Sequence, residues 1–165
     1  MVAAVLGEEA RPVRAVLFDK NDAADWSLGW HQDRTIAVRS RAELSGFGPW
    51  SLKQGIQHVE PPFAVIDAML TVRIHLDPVD EKNAPLLISL GSHHLGRIPA
   101  SDVDEVVEGL PLYACLAKAG DVWFYRTPII HASRAARPGR RRRVLQVDYA
   151  AMDLPAPLEW LGIGS

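Results

Sequence analysis

The tetrapeptide Trp30-His31-Gln32-Asp33 contains the residues of this chain with the clearest potential for metal chemistry. On an extended backbone, residues two positions apart project from the same face, so His31 and Asp33 can reach one point. An imidazole nitrogen and a carboxylate oxygen placed in this way can serve as two cis ligands of a metal ion. A further histidine would complete a facial triad, which leaves coordination positions open and suits non-haem Fe(II).

A candidate for that histidine lies in the second half of the chain. Residues 120–125 are typical of a turn followed by a strand, and residues 127–130 then lead to His131 at the next turn. A His-x-Asp tripeptide alone is weak evidence, because such tripeptides occur by chance in many proteins. His31 and Asp33 could equally form an ion pair on a surface strand. The two segments together favour the metal site over this alternative.

The segments that must position these residues are short, rich in β-branched and aromatic residues, and bounded by Gly, Pro, Asn or Asp. Such segments are typical of strands, and we predict them at residues 13–18, 35–38, 69–76, 86–89, 122–125 and 143–149. Helical signals are few. Ser101 can cap a helix over residues 102–108 that stops at Gly109, and Pro61-Pro62 can open a turn or two before Met69. Many short strands separated by turns predict a β-sandwich or barrel.

Composition limits the class of protein. The 165 residues are 48% hydrophobic and 23% charged with a formal net charge of -2, which predicts one globular domain over residues 1–165 with no general attraction to nucleic acid or membranes. No stretch approaches the roughly 20 apolar residues of a membrane span. The single cysteine, Cys115, lies in an apolar run and is expected to be buried and unreactive. A cytoplasmic protein is therefore expected.

Four motifs, in their order and spacing, resemble the phytanoyl-CoA dioxygenase family of Fe(II)/2-oxoglutarate oxygenases. The resemblance extends from about Val13 to Trp160. The motifs are, in chain order, Trp30-His31-Gln32-Asp33, then Asn83-Ala84-Pro85-Leu86 with Gly91-Ser92-His93, then Gly120-Asp121 through His131-Ala132-Ser133, and finally Arg142. One such motif would carry little weight, whereas four in the family's order make the resemblance specific.

The resemblance implies a mainly β fold, namely a double-stranded β-helix (jelly roll, cupin-like) with a few short helices. It also implies that His31, Asp33 and His131 are the iron ligands. Arg142 follows His131 by eleven residues, as in relatives, and is implied to pair with the distal carboxylate of 2-oxoglutarate. The chemistry agrees, because a guanidinium matches a carboxylate bidentately and stays charged at any working pH.

Two further residues belong to the implied cosubstrate site. Ser133 matches a family serine whose hydroxyl helps to hold the same carboxylate, and Gln32 is expected to touch the cosubstrate. The implied cofactors are Fe(II), 2-oxoglutarate and O₂, and the implied reaction hydroxylates a small molecule while 2-oxoglutarate is decarboxylated to succinate and CO₂. Asp33 favours hydroxylation, because related halogenases carry a small residue at that position to make room for halide.

Two other functions remain open at this point. One is a non-catalytic jelly-roll protein that retains the triad and binds a metal or ligand. The other is a metal-dependent cupin-like enzyme that does not use 2-oxoglutarate, against which Arg142 and Ser133 argue. Measurement of succinate production would separate all three functions.

The polar residues beside these motifs have more ordinary interpretations. Along a strand, Arg141 and Arg143 should face away from Arg142 and be solvated, with attraction of coenzyme A phosphates as the alternative. His93 and His94 form part of the Gly-Ser-His turn and are expected to be structural rather than metal-binding.

Residues 34–60, centred on Gly46-Phe47-Gly48-Pro49, are predicted to form a mobile loop over the pocket. His58 should lie in this loop, whereas His75 could line the barrel. Trp26, Trp30 and Trp50 could shape substrate access, although core packing is the commoner role of tryptophan. The family usually has Gly where Ala84 stands and Pro where Leu90 stands, so we expect altered turns near the pocket.

Relatives commonly carry helices ahead of the first shared strand, and those helices pack on one face of the major sheet. Only about a dozen residues precede Val13 here, and charged side chains leave them little apolar surface. We therefore expect the outward face of residues 13–18 and 69–76 to be under-covered. An exposed apolar face of this kind usually marks an interface, which predicts a homodimer or larger closed assembly.

Overall fold

The computed structural model describes residues 1–24, 26–136 and 139–164. Within these residues the chain is mainly β, and its helices are α1 (Val2–Leu6), α2 (Phe63–Asp67) and α3 (Val103–Glu108), with a 3₁₀ turn at Ser92–His94. The strands are β1 (Arg11–Lys20), β2 (Leu28–His31), β3 (Ile36–Val38), β4 (Trp50–Lys53), β5 (Ile56–Val59), β6 (Leu70–His75), β7 (Leu86–Ser89), β8 (Leu112–Cys115), β9 (Val122–Arg126), β10 (His131–Ser133) and β11 (Arg142–Ala150).

The strands form two four-stranded antiparallel sheets. The major sheet has the order β1-β11-β6-β9 and the minor sheet the order β2-β10-β7-β8. Apolar side chains from the two sheets pack together, as Leu86 and Ile88 of the minor sheet do with Tyr125 of the major sheet. No described helix is long and apolar enough to cross a membrane. The packing of the two four-stranded antiparallel sheets confirms the predicted jelly roll.

The inner face of the major sheet is unusually polar. Arg73 pairs with Gln146 and Thr71 pairs with Asp148 across β6 and β11, and all four residues are buried. Because side chains alternate between the faces of a strand, these four residues point to the same side, towards the minor sheet. The polar residues therefore lie between the two sheets, where the candidate site is found.

Residues 34–60 do not form the predicted loop. They contain β3, β5 and β4, which make a third antiparallel sheet in that order. Ile36 and Val59 of this sheet are buried against Leu158 and Trp160 from the end of the chain. This packing against residues distant in sequence stabilises three short strands, of which only β3 was predicted from its local sequence. His58 is accordingly a buried residue of β5 and not a loop residue.

Most of the other predicted elements are present within a residue or two. The strand at residues 86–89 has the predicted bounds, and α2 begins directly after Pro62. The helix after Ser101 starts later than predicted, because its N-cap is Asp102, while Ser101 donates a hydrogen bond to the Asp102 carboxylate. The strands β2, β4, β5, β8 and β10 were not predicted.

The outer face of the major sheet is only partly covered. Val72 and Val147, on the central strands, are buried, whereas Leu17 on β1 and Val122 on β9 are 55% and 40% exposed. The expectation of an under-covered face therefore holds for the two edge strands and for Leu76, which directly follows β6 and is 44% exposed, whereas the buried Val72 and Val147 contradict it.

Candidate metal centre

The minor sheet brings His31, Asp33 and His131 together. His31 ends β2, His131 begins β10, and the two residues are direct partners across the antiparallel strands. Asp33 follows two residues after His31, beyond the end of β2. One ligand atom from each residue lies within 4.8 Å of the others, and the Asp33 Oδ2 atom is 4.0 Å from the His131 Nε2 atom. Among the described residues this is the one His/Cys/Asp/Glu group that could hold a metal ion.

Backbone carbonyls fix the orientation of both imidazoles. The Nδ1 atom of His31 is 2.8 Å from the Gly29 carbonyl oxygen, and the Nδ1 atom of His131 is 2.9 Å from the Ile129 carbonyl oxygen. A carbonyl can only accept, so each Nδ1 carries the proton and each Nε2 keeps a free lone pair. This is the arrangement that ligating histidines adopt, which shows that the donor set fits a divalent metal.

Burial favours the neutral form of the second histidine. The pKa of His131 is lowered mainly by burial and further by His31, while the Asp33 carboxylate opposes the shift. A neutral imidazole is the form that binds a metal, so the site is prepared to accept one without first losing a proton.

A cavity of about 100 Å³ opens beside the three residues. Both sheets contribute to it, because His31, His131 and Ser133 come from the minor sheet and Arg142 from the major sheet. The remaining lining residues are Arg14, Phe18, Trp26, Leu28, Asp33, Arg73, Leu86, Ala132 and Gln146.

Arg142 and Ser133 both line this cavity. Arg142 is 2% exposed and donates a hydrogen bond to the carbonyl oxygen of Ala84. The Ser133 hydroxyl accepts a hydrogen bond of 3.3 Å from the buried Lys20 ammonium. A cation and a hydroxyl that line the same cavity can together bind a carboxylate with charge-assisted hydrogen bonds.

Gln32 points elsewhere. Its Nε2 atom donates to the carbonyl oxygens of Gly96 and Pro128 at 3.0 and 2.9 Å, and its Oε1 atom accepts from the Ile98 amide at 2.9 Å. The amide is therefore engaged with three backbone groups and does not line the cavity. These bonds hold the segment between the first two candidate ligands against the neighbouring loops.

Two buried cations near the cavity, Lys20 and Arg73, belong to none of the motifs identified in the sequence. Lys20 donates to the carbonyl oxygens of Trp26 and Arg134, the second at 2.8 Å, and its ammonium lies 5.0 Å from the centre of the Trp26 ring. Arg73 lines the cavity directly. For Arg73 the sequence did carry a signal, because Arg73 alternates with apolar residues on the same strand face as Thr71 and His75.

A buried carboxylate lies next to these residues on the major sheet. Asp148 accepts hydrogen bonds of 3.1 Å from Thr71 and Gln146, and lies 3.5 Å from Arg14. Burial, with the nearby Asp33 charge, raises the pKa of Asp148 to about 6. Its proton therefore titrates close to neutral pH.

The other histidines and the flanking arginines are structural or solvated. Arg141 and Arg143 pair with Asp19 and Asp77 at 2.8 and 2.7 Å on the face opposite Arg142, as predicted. The His93 and His94 rings contact each other at a tilt of 40°, with centroids 3.8 Å apart. His75 is buried on the inner face of β6, and burial lowers its pKa to about 4.

The remaining expectations concern packing. Burial raises the pKa of the Cys115 thiol to about 11, so the thiol is unreactive, as predicted. Trp26 lines the cavity, whereas Trp30 and Trp50 pack against apolar clusters. Ala84 adopts a φ of 49°, a conformation that glycine adopts without strain.

The jelly roll and the His-Asp-His cluster define the class of protein, a jelly-roll protein with a candidate facial-triad metal site. A family model for phytanoyl-CoA dioxygenase matches residues 2–144. The chain therefore belongs to the phytanoyl-CoA dioxygenase family, which confirms the resemblance stated from the motifs. A search of curated proteins gave no match.

Solved structures share the fold at low sequence identity. EctD from S. alaskensis with 2-oxoglutarate and 5-hydroxyectoine is 17% identical with a TM-score of 0.66, and the match covers 98% of this chain and 51% of that chain. AviO1 from Streptomyces viridochromogenes Tue57 is 22% identical with a TM-score of 0.62, and the match covers 93% of this chain and 55% of that chain. The Ni complex of the non-heme monooxygenase ThoJ is 18% identical with a TM-score of 0.60, and the match covers 98% of this chain and 51% of that chain. The chain thus spans about half the length of these proteins.

Proposed function

We propose that this protein is an Fe(II)- and 2-oxoglutarate-dependent dioxygenase that hydroxylates a small molecule. The observation that carries the proposal is that one cavity contains the His31, Asp33 and His131 cluster together with Arg142 and Ser133. A metal-binding cluster alone would fit many enzymes. A buried guanidinium and a hydroxyl beside it add the means to hold a dicarboxylate cosubstrate.

Each residue has a distinct role in this proposal. His31, Asp33 and His131 would hold the metal and leave the positions that face the cavity open to ligands. Arg142 and Ser133 would bind the distal carboxylate of 2-oxoglutarate and so orient its 2-oxo acid end towards the metal. Gln32 has no contact with the cavity in this structure, and we assign it the positioning of the ligand-bearing segment instead.

The protein supplies geometry and a partly apolar cavity for the reaction. When bound, the iron with 2-oxoglutarate and O₂ supplies the oxidising power that hydroxylates an unactivated C–H bond and yields succinate and CO₂. Phe18, Trp26 and Leu28 form an apolar part of the cavity wall. The carbonyl contacts to both imidazoles hold the metal-binding nitrogens in place throughout.

The proposal also covers location and assembly. A single buried thiol and a site for Fe(II) suit the reducing cytoplasm, where we propose that the protein acts. We further propose a homodimer that buries the exposed edge residues Leu17 and Val122 on the outer face of the major sheet. Light scattering at micromolar concentration tests the dimer, and a monomer would overturn it.

Succinate formation is the direct test of the function. Purified protein with Fe(II), 2-oxoglutarate and O₂ should release succinate at a slow basal rate and faster with a true substrate, and Asp33→Ala should abolish both. Arg141→Ala, which alters only a surface ion pair, is the matched control. Binding of 2-oxoglutarate without any turnover would instead favour a non-catalytic binding protein. Turnover that is independent of 2-oxoglutarate would favour a cupin-like enzyme.

A further inference from the structure

Arg73 is a buried cation on the major-sheet wall of the cavity. It lies in the middle of β6, is 5% exposed, and lines the same cavity as His31, Asp33 and His131. Its charge is close enough to His131 and Tyr125 to contribute to lowering the pKa of both groups, although burial raises the pKa of Tyr125 overall. Arg73 is therefore near the candidate metal centre without being part of it.

The contacts of the Arg73 guanidinium leave much of its hydrogen-bonding capacity unused. Its Nη1 atom donates to Gln146 Oε1 at 2.9 Å, the guanidinium is close enough to the buried Tyr125 hydroxyl to interact with it, and it lies 5.3 Å from the centre of the Phe18 ring. Its Nε atom is buried without a hydrogen-bond partner in the described part of the chain. A guanidinium carries five N–H donors, so a fully buried one is normally matched by a carboxylate or a similar anion.

No carboxylate of the described residues fills that role. The ion pairs between described residues do not include Arg73, and the nearby buried acid, Asp148, lies beyond Gln146. Asp148 is itself engaged by Arg14, Thr71 and Gln146. Burial of an unmatched charge is costly, which indicates that an anion other than those of the described residues completes the site.

The positions of Arg73 and Arg142 suit the two ends of a dicarboxylate. Gln146, the strand partner of Arg73, is four residues after Arg142 on β11 and on the same face. At about 3.3 Å per residue the two positions are on the order of 13 Å apart along the sheet. The side chains reach into one cavity from these positions, and His131 lines the opposite wall.

We propose that Arg73 binds the carboxylate of the 2-oxo acid that coordinates the metal, while Arg142 binds the distal carboxylate. This inference rests on the proposed function. It makes Arg73 a determinant of cosubstrate binding that recognises the 2-oxo acid end, which every 2-oxo acid shares. Arg142 recognises the far end, which only a dicarboxylate has.

Two ligands separate these roles without any turnover. Binding of 2-oxoglutarate and of 2-oxobutyrate, which lacks the distal carboxylate, is measured by calorimetry on the Ni(II)-loaded protein. Arg73→Met should weaken both ligands by a similar factor, on the order of 10- to 100-fold. Arg142→Met should weaken 2-oxoglutarate by a comparable factor and leave 2-oxobutyrate unchanged. Arg141→Met should change neither.

The outcomes distinguish a failure of this inference from a failure of the proposed function on which it rests. If wild-type protein binds 2-oxoglutarate and Arg73→Met binds both ligands normally, the inference is wrong while the proposed function stands. If Arg73 instead binds a carboxylate of the substrate, Arg73→Met would also bind both ligands normally, and the inference would be wrong in that case too. If wild-type protein loads Ni(II) but does not bind 2-oxoglutarate, the proposed function itself fails.

Folding is checked on the same samples. Thermal unfolding and Ni(II) affinity of Arg73→Met should match the wild type, because Arg73 is not a candidate ligand. Should that variant not fold, Arg73→Gln, which retains a donor for Gln146, carries the same test. Equal weakening of the two ligands in Arg73→Gln supports the proposal, and loss confined to 2-oxoglutarate contradicts it.

Discussion

The two walls of the cavity hold their polar side chains in different ways. On the minor sheet, His31 and His131 are each oriented by a carbonyl two residues earlier in the chain. On the major sheet, Arg73 and Thr71 of β6 donate hydrogen bonds to Gln146 and Asp148 of β11, which is distant in sequence, and Gln146 also donates to Asp148. The first wall is therefore specified locally and resists changes elsewhere, whereas the second depends on a connected network.

This difference predicts how each wall responds to substitution. Removal of one residue from the minor-sheet wall should abolish a single function and leave the fold intact. Removal of one residue from the major-sheet wall should affect its hydrogen-bonded neighbours and the pH dependence of stability as well. The following predictions test this contrast from the largest expected effect to the smallest.

Loss of a candidate metal ligand should have the largest effect. His131→Ala should weaken Ni(II) binding by at least about 100-fold, because outer contacts to metal ligands alone are worth up to that factor. Calorimetric titration with Ni(II) measures it. His93→Ala, which removes a histidine outside the cluster, is the control and should bind as the wild type does. Equal affinity of both variants would show that the metal site is elsewhere.

Arg142→Ala should weaken 2-oxoglutarate binding by on the order of 2–5 kcal/mol, because a buried bidentate contact is lost. Metal affinity should change little, since the arginine is not a candidate ligand. Titration of metal-loaded protein with 2-oxoglutarate gives the value. Arg141→Ala is the comparison, and similar losses in the two variants would indicate an effect of net charge alone.

Asp148 should make stability depend on pH. Because its pKa is raised from 3.8 to about 6 in the folded state, the folded protein holds this proton more tightly than the unfolded chain does. The contribution of this proton to the free energy of unfolding is complete below pH 3.8 and is lost as the pH rises through about 6. Asp148→Asn should remove this dependence and raise the free energy of unfolding at pH 7 by on the order of 1–3 kcal/mol.

Denaturant titrations of the metal-free protein between pH 4 and pH 8 measure this effect. The exposed Asp153 provides the control, since Asp153→Asn should leave the profile unchanged. If Asp148→Asn keeps the wild-type slope over this range, the carboxylate does not titrate as described.

The smallest effect concerns two turns in which residues other than glycine have positive φ angles. Gln54 has a φ of 51° in an exposed hairpin, and Ala84 has a φ of 49° in the turn behind Arg142. Gln54→Gly should raise the free energy of unfolding by about 1 kcal/mol, because glycine adopts this conformation without strain. Ala84→Gly should gain less, because it also removes a buried methyl group. A larger gain at Ala84 than at Gln54 would contradict this reasoning.

The sequence by itself determined those parts of the protein that depend on local spacing. The His-x-Asp pattern places two side chains on one side of an extended segment, and alternation in residues 71–76 gives β6 two distinct faces. Isolated apolar runs between turn residues, such as β7, were predicted with their observed bounds. The order of the four motifs was sufficient to identify the family.

Tertiary structure decided what depends on partners distant in the chain. The sheet of β3, β5 and β4 exists because Leu158 and Trp160 cover it, and no local pattern in residues 34–60 announces that contact. Only the fold brings His131 opposite His31 and places Arg73 in the same cavity. The direction of the Gln32 side chain likewise follows from backbone groups at Gly96, Ile98 and Pro128, which spacing along the chain does not reveal.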